Sequence, residues 1–355
     1  MKQDPERLLR LDGLRGVAAC IVSFLFHARM LFGSVQNPFD GVPGFGWFQQ
    51  WGWSAVDLFF VLSGFVFAHC YLDGWRLRAG TTISSFALSR FARLWPLHAV
   101  VPGFTVVILH QLPQTNLSNM LASLAMLQVF LADPTQTLNG PAWSLSVEVL
   151  CYGLFILAAA AGARVLQASA AVAILIGAGC IFAFGVWDAL VARGFLGFFC
   201  GVFLRRHMHH ADRMPGAALA LFAALPFIIV PDGGWLVLTT LVAWPAAILL
   251  ALRIPVLEAR PMLWLGDRSY TIYLVHMPIY LLYFLLFSGG AGMDRTAWLG
   301  AMLATWGVIL LVADLLYRNL ERPSQRAILS RFGRRRTGIF DLPERLAPDD
   351  RRGVQ

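Results

Sequence analysis

Residues 15–33 read RGVAACIVSFLFHARMLFG. From Gly16 to Phe26 every residue is apolar or small; His27 then interrupts, Arg29 follows, and the apolar run resumes. A helix crossing a bilayer needs about 20 residues, and this segment supplies them. An imidazole inside such a span is costly unless it is paired or hydrated, so its presence points to chemistry.

The rest of the chain repeats the apolar pattern. Of its 355 residues 58% are hydrophobic and 14% charged, where a soluble domain carries about 25% charged. The fold class expected is all-α, a polytopic transmembrane bundle of about ten spans. The spans fall at 13–33, 51–72, 94–112, 143–163, 169–187, 189–204, 215–230, 235–252, 269–288 and 298–317. The run 119–132, NMLASLAMLQVFLA, is too short to cross and reads as re-entrant or interfacial. Residues 1–326 form one membrane domain, and 327–355 a basic, partly disordered cytoplasmic tail. The first run lacks a small-residue cleavage site and is not a signal peptide.

Charge sets the orientation. With the N-terminus in the cytoplasm, 25 of the 28 Lys and Arg fall on cytoplasmic segments or span ends. Only Arg29, Arg193 and Arg295 fall toward the outside. That asymmetry follows the positive-inside rule and places both termini inside. The net charge of +8 is dispersed between apolar runs and in the tail, which argues for contact with membrane lipid and against a nucleic-acid partner. The five cysteines all lie in apolar runs without a C-x-x-C, so neither a disulfide framework nor a zinc site is expected. RRHMHH (205–210) has no acidic or cysteine partner in its loop, and no metal is assigned.

Three polar groups stand inside spans. His27 lies about 21 Å up its helix, Asp57 about 9 Å and Glu148 about 8 Å down theirs. They fall at similar heights on different helices, either as a site or as a polar cluster tying helices together. His69, His98 and His110 sit near span ends, where interfacial water satisfies them. Arg90 and Arg93 share a helix face at the cytoplasmic mouth of a span. Paired guanidinium forks there suit phosphate, and cytoplasmic anchoring is the competing reading.

Six segments occur in order: LDGLRGVAA with His27, VDLFFVLSGFVF, RFARLWP, WSLSVEV, LGDRSYTIYLVHMPI and ERPSQR. Together they resemble acyltransferase family 3, integral-membrane O-acyltransferases that act on glycans and related acceptors. The resemblance covers roughly residues 8–326. It implies transfer of an acyl group, commonly acetyl, from cytoplasmic acyl-coenzyme A to a hydroxyl, usually of a carbohydrate or glycoconjugate. By the resemblance His27 is the essential histidine, Arg90 and Arg93 the R-x-x-R pair, Glu148 the glutamate of W-S-L-S-x-E, and Arg15 the arginine preceding the histidine. The family usually places ten residues between that arginine and histidine; here there are eleven. Eleven helical steps leave two residues about 20° apart, and twelve about 120°. For Arg15 and His27 to share one channel, the helix must be irregular between about Asp12 and Phe24, by a π-bulge or by a bent entry at Gly13 and Gly16. The bent entry is the expectation.

The mechanism expected from both readings is a direct transfer. Inner arginines hold the phosphates of coenzyme A, and His27 acts as general base on the acceptor hydroxyl. Glu148 orients the ring or stabilises its imidazolium. Ser63 and Gly64 permit close backbone approach, Asp57 supports the site, and Tyr270, Ser269 or Arg29 supply oxyanion donors. His276, in YLVHMP, makes a helix–helix hydrogen bond. The alternative is a non-catalytic transporter of an acylated or anionic metabolite with a His27/Glu148 proton relay. It would favour inverted repeats, and none is evident.

Overall fold

A computed structural model describes residues 8–28, 42, 44–109, 117–131, 138–211, 213–229, 233–287 and 295–333. Helices dominate it. In chain order they are α1 (Leu9–Cys20), α2 (Phe45–Trp51), α3 (Ala55–Tyr71), α4 (Ile83–Leu109), α5 (Leu117–Leu124), α6 (Trp143–Ala161) and α7 (Ala163–Phe184). Then follow α8 (Leu190–Ala211), α9 (Gly216–Ala224), α10 (Gly233–Leu238), α11 (Trp244–Ala251), α12 (Arg260–Phe287), α13 (Arg295–Leu316) and α14 (Arg322–Phe332). Between α3 and α4 lies a small hairpin, β1 (Leu72–Asp73) against antiparallel β2 (Arg76–Leu77). Its turn passes through Gly74 at φ +62°, a conformation that glycine adopts without strain. The hairpin is too short to show a strand period in the sequence.

Among the described residues six helical stretches can cross a membrane by length and composition: Phe45–Tyr71, Gly140–Ala161, Ala163–Phe184, Gly234–Ala251, Arg260–Phe287 and Thr296–Phe332. The other four expected spans coincide with α1 and its continuation, α4, α8 and α9. Within the described residues their apolar lengths are shorter or broken by charge. The segment expected to be re-entrant is short: α5 has eight residues and rises about 12 Å. Two residues past its end Met126 takes φ 57°, outside the helical region. A π-helix at Tyr317–Glu321 joins α13 to α14, so that this last helical stretch continues past residue 326 to Phe332, and residues 334–355 of the expected tail lie outside the described residues.

Helix pairs approach closely where glycine removes the side chain. A Cβ on Gly64 would stand 1.8 Å from the Phe198 carbonyl oxygen, so α3 and α8 meet backbone to backbone there. A Cβ on Gly266 would stand 2.2 Å from the Asp12 carbonyl oxygen, which brings α12 equally close to α1. Inside a bilayer such packing replaces the hydrophobic drive between helices. Away from such contacts, α7 leaves Leu175, Ile176, Phe182 and Phe184 exposed, as a surface facing acyl chains would.

Asp57 belongs to this architecture. Arg193 on α8 donates to it twice, from Nε at 3.1 Å and from Nη2 at 2.8 Å. Both side chains are fully buried, and the guanidinium carbon lies 4.6 Å from the Trp53 ring centre and 5.1 Å from that of Trp143. The pair satisfies two charges that neither helix could bury alone, and removing one partner from such a pair costs about 3–5 kcal/mol. The carboxylate expected to support the site therefore ties α3 to α8 instead.

Candidate functional site

A cavity of about 150 Å³ opens between α1, α3, α4, α6 and α12. Helical spacing explains its lining. From α6 it receives Ser144, Glu148 and Tyr152, each four residues apart and so on one face. Phe59, Ser63 and Phe67 do the same from α3; Asp57 lies off this stripe, turned toward α8. Arg15 enters from α1, Arg90 and Arg93 from α4, and Ser269, Tyr270 and Tyr273 from α12.

Glu148 is held by two hydroxyls. Ser63 Oγ donates to its Oε1 at 2.8 Å, and Tyr152 OH donates to the same oxygen. The three guanidiniums around this carboxylate are not equivalent. Arg93 forms an ion pair with Glu321 at 2.6 Å, and Glu321 is buried and also accepts from Thr271 Oγ1 at 2.5 Å. Arg90 donates from Nε to Ser89 Oγ at 3.1 Å, and its guanidinium carbon lies 5.1 Å from the Phe67 ring centre. That cation–π contact holds the guanidinium over the ring, and no acidic partner meets it among the described residues. Arg15 stands 3.5 Å from Asp12. The two arginines expected to act as one phosphate clamp thus share a face, but Arg93 already holds an internal carboxylate.

His27 lies elsewhere, beyond the end of α1. The helix is regular from Leu9 to Cys20, so the bent entry expected at Gly13 and Gly16 does not occur. A π-helix spans Ile21–Phe26 instead, and one short turn carries His27. The wider turn absorbs the extra residue between Arg15 and His27. Arg15 can therefore line the cavity while His27 still faces inward, toward α12. There its Nδ1 lies 3.0 Å from His276 Nε2. Tyr280, also on α12, donates to the Ser23 carbonyl at 2.7 Å and so pins the π turn.

The three groups expected at one height are consequently three separate arrangements. Asp57 pairs with Arg193, Glu148 with Ser63 and Tyr152, and His27 with His276. Tyr273 connects the last two regions: it lines the cavity, and its ring centre lies 5.8 Å from that of His276. Its hydroxyl donates to the Pro141 carbonyl at 2.8 Å and lies 3.0 Å from Ser144 Oγ.

Two expected oxyanion donors are already committed. Tyr270 OH donates to the Leu94 carbonyl at 2.7 Å and Ser269 Oγ to the Gly266 carbonyl at 2.8 Å. Each hydroxyl has one proton to give. Arg29, the third, lies outside the described residues, as does His110. His98 is not satisfied by water as expected: it is buried and its Nε2 donates to the Ser123 carbonyl at 2.7 Å. His69 Nδ1 accepts from Arg205 Nε at 3.1 Å.

Tyr152, Tyr273 and Glu321 were not among the residues singled out from the sequence. Tyr152 follows Glu148 by four residues and Tyr273 precedes His276 by three, so helical spacing carried a signal for both. Glu321 meets Arg93 from the far end of the chain, and no local pattern announces that.

Comparison with known proteins adds an independent line. Residues 8–318 match a family model described as an acyltransferase domain. Acyltransferase MdmB of Streptomyces mycarofaciens is 28% identical over 97% of both chains. Protein 2 in the picA locus of Rhizobium radiobacter is 36% identical over 42% of this chain and 82% of its own. No solved structure matches.

Proposed function

This chain belongs to acyltransferase family 3, and on that premise we propose that it carries an acyl group, acetyl above all, from cytoplasmic acyl-coenzyme A to a hydroxyl of a carbohydrate or glycoconjugate. It is an integral-membrane acyltransferase, and family membership does not favour the transporter alternative. The observation that supports the fuller reading is the cavity. It gathers Arg15, Arg90 and Arg93 around Glu148, and α12 links it through Tyr273 to the His276–His27 pair.

In the proposed reaction the acceptor hydroxyl gives its proton to His27 as its oxygen attacks the thioester carbonyl. The tetrahedral intermediate collapses with cleavage of the carbon–sulfur bond. The departing sulfur takes the proton back from the imidazolium, leaving an ester and free coenzyme A. Arg90, with Arg15, binds donor phosphate; the Arg93–Glu321 pair holds the cavity wall. The fork of Arg90 suits two phosphate oxygens at once.

The direct test uses the purified full chain with labelled acetyl-coenzyme A and membrane glycan extracts. Acyl transfer or slow thioester hydrolysis without an ion gradient is expected; neither activity, with the protein folded, would overturn the reading. Arg90→Ala should raise KM for acetyl-coenzyme A about ten-fold or more, the range for a lost charge-assisted hydrogen bond. The acetylpantetheine donor, which lacks the nucleotide phosphates, should be affected less. Equal losses for both donors would remove Arg90 from phosphate recognition.

For topology we propose ten spans with both termini cytoplasmic, in a bacterial inner membrane, and α5 not crossing. An impermeant thiol reagent should reach cysteines placed at Gly46 and Thr135 from outside intact cells, and one placed at Gly74 only after permeabilisation. Labelling of position 135 solely from the cytoplasm would break this arrangement.

A further inference from the structure

His276 is fully buried on α12, and its two ring nitrogens meet two different kinds of group. Nδ1 lies 3.3 Å from the Ile272 carbonyl oxygen, one helical turn back. Nε2 lies 3.0 Å from Nδ1 of His27. A carbonyl oxygen only accepts, so the first contact is a hydrogen bond when His276 carries its proton on Nδ1. A neutral imidazole has one such proton, which makes Nε2 of His276 an acceptor. The second contact then requires the proton of His27 to sit on Nδ1. Nε2 of His27 is left holding the lone pair.

A doubly protonated His276 would reverse this order. It would place a cation at a position with no exposed surface, among Tyr273, Tyr280 and the apolar core, where an uncompensated charge is strongly disfavoured. The ring centres of Tyr273 and Tyr280 lie 5.8 and 5.9 Å from that of His276, and their hydroxyls donate away from it, to Pro141 and Ser23. The tautomer of a histidine is set by the bond its other nitrogen makes, and here that bond is set in turn by a main-chain carbonyl of α12.

We infer that His276 is a positioning residue that holds His27 in its Nδ1–H tautomer and so makes Nε2 the basic nitrogen of the site. The inference deepens the proposed reaction and rests on His27 acting as its base, but the tautomer itself is measurable without turnover. The Ile272 carbonyl, His276 and His27 form a short relay of orientation, with the π turn at Ile21–Phe26 bringing His27 into reach.

The test is nitrogen-15 spectroscopy of the full chain, labelled at histidine and held in detergent or lipid discs. His27→Gln identifies the His27 signals. In the wild type, Nδ1 of His27 should resonate in the protonated range and Nε2 in the unprotonated range; the opposite pattern overturns the inference. His276→Leu should release His27 to a mixture of tautomers and lower kcat at least ten-fold with KM for acetyl-coenzyme A unchanged. His276→Gln, whose side-chain oxygen can accept from Nδ1–H, should restore most of both. An unchanged His27 pattern in His276→Leu also overturns the positioning role. If the inferred tautomer is found but His27→Ala retains full activity, the base reading fails while the assignment of the tautomer stands.

Discussion

His27→Ala is expected to lower kcat for acyl transfer by about 10²–10⁴-fold, the usual contribution of a positioned general base. KM for acetyl-coenzyme A should change little, because the arginines proposed to bind it lie in the cavity and His27 does not line it. The fold should survive as well. His27 is half-buried, and the π turn that carries it remains anchored by the Tyr280 bond to the Ser23 carbonyl. The measurement is steady-state kinetics on purified protein, beside a thermal melt and binding of the donor. Loss of kcat with unaltered melting and binding assigns a chemical role. Near-normal turnover would exclude His27 as the base, whatever its tautomer.

The second large effect is expected at Glu148. Its Oε1 accepts from both Ser63 and Tyr152, and three arginines line the same cavity. Glu148→Ala leaves the Ser63 and Tyr152 hydroxyls only each other, 3.3 Å apart, so one donor is stranded at about 1–3 kcal/mol for a buried group left unsatisfied, and both stability and activity should fall. Glu148→Gln separates the two contributions. Its amide oxygen can still accept from Ser63 or Tyr152, so the melting temperature should stay close to wild type. The negative charge is lost, however, and with it the through-space stabilisation of the imidazolium proposed to form at His27. In a low-dielectric bundle that attraction is larger than in water. A fall in kcat of about 10–100-fold is therefore expected for Glu148→Gln, which is about 1.4–2.7 kcal/mol at one factor of ten per 1.36 kcal/mol. Wild-type kcat in Glu148→Gln would reduce Glu148 to a hydrogen-bonding strut between α3 and α6.

The contrast between these two residues shows what was legible in the chain. Hydrophobic runs near bilayer length, punctuated by arginine, gave the helical class and the positions of most elements, because hydropathy is a local property of a segment. His27 and Glu148 stood out for the same reason: each is a polar group where the local pattern calls for an apolar one. The extra residue between Arg15 and His27 even announced an irregular turn, although the chain placed it later than the glycines suggested, at Ile21–Phe26. Glycine weakens a helix in isolation, but Gly13 and Gly16 are held in regular helix by close packing against Leu257, Leu265 and Gly266.

What the sequence by itself determined is the set of helices, the stripes of polar residues along them, and membership in a family of acyltransferases. Which stripe meets which was decided only by the tertiary structure. Asp57 found Arg193, Arg93 found Glu321, and His27 found His276 rather than Glu148. Each pairing joins residues from different helices, and it depends on how far each helix is rotated about its axis and how close its neighbours come. Backbone approaches at Gly64 and Gly266 set those rotations and distances. Inside a membrane every polar group must find its partner within the protein, so once the helices had docked, the partners of His27 and of Glu148 followed from the faces that packing had turned toward each other.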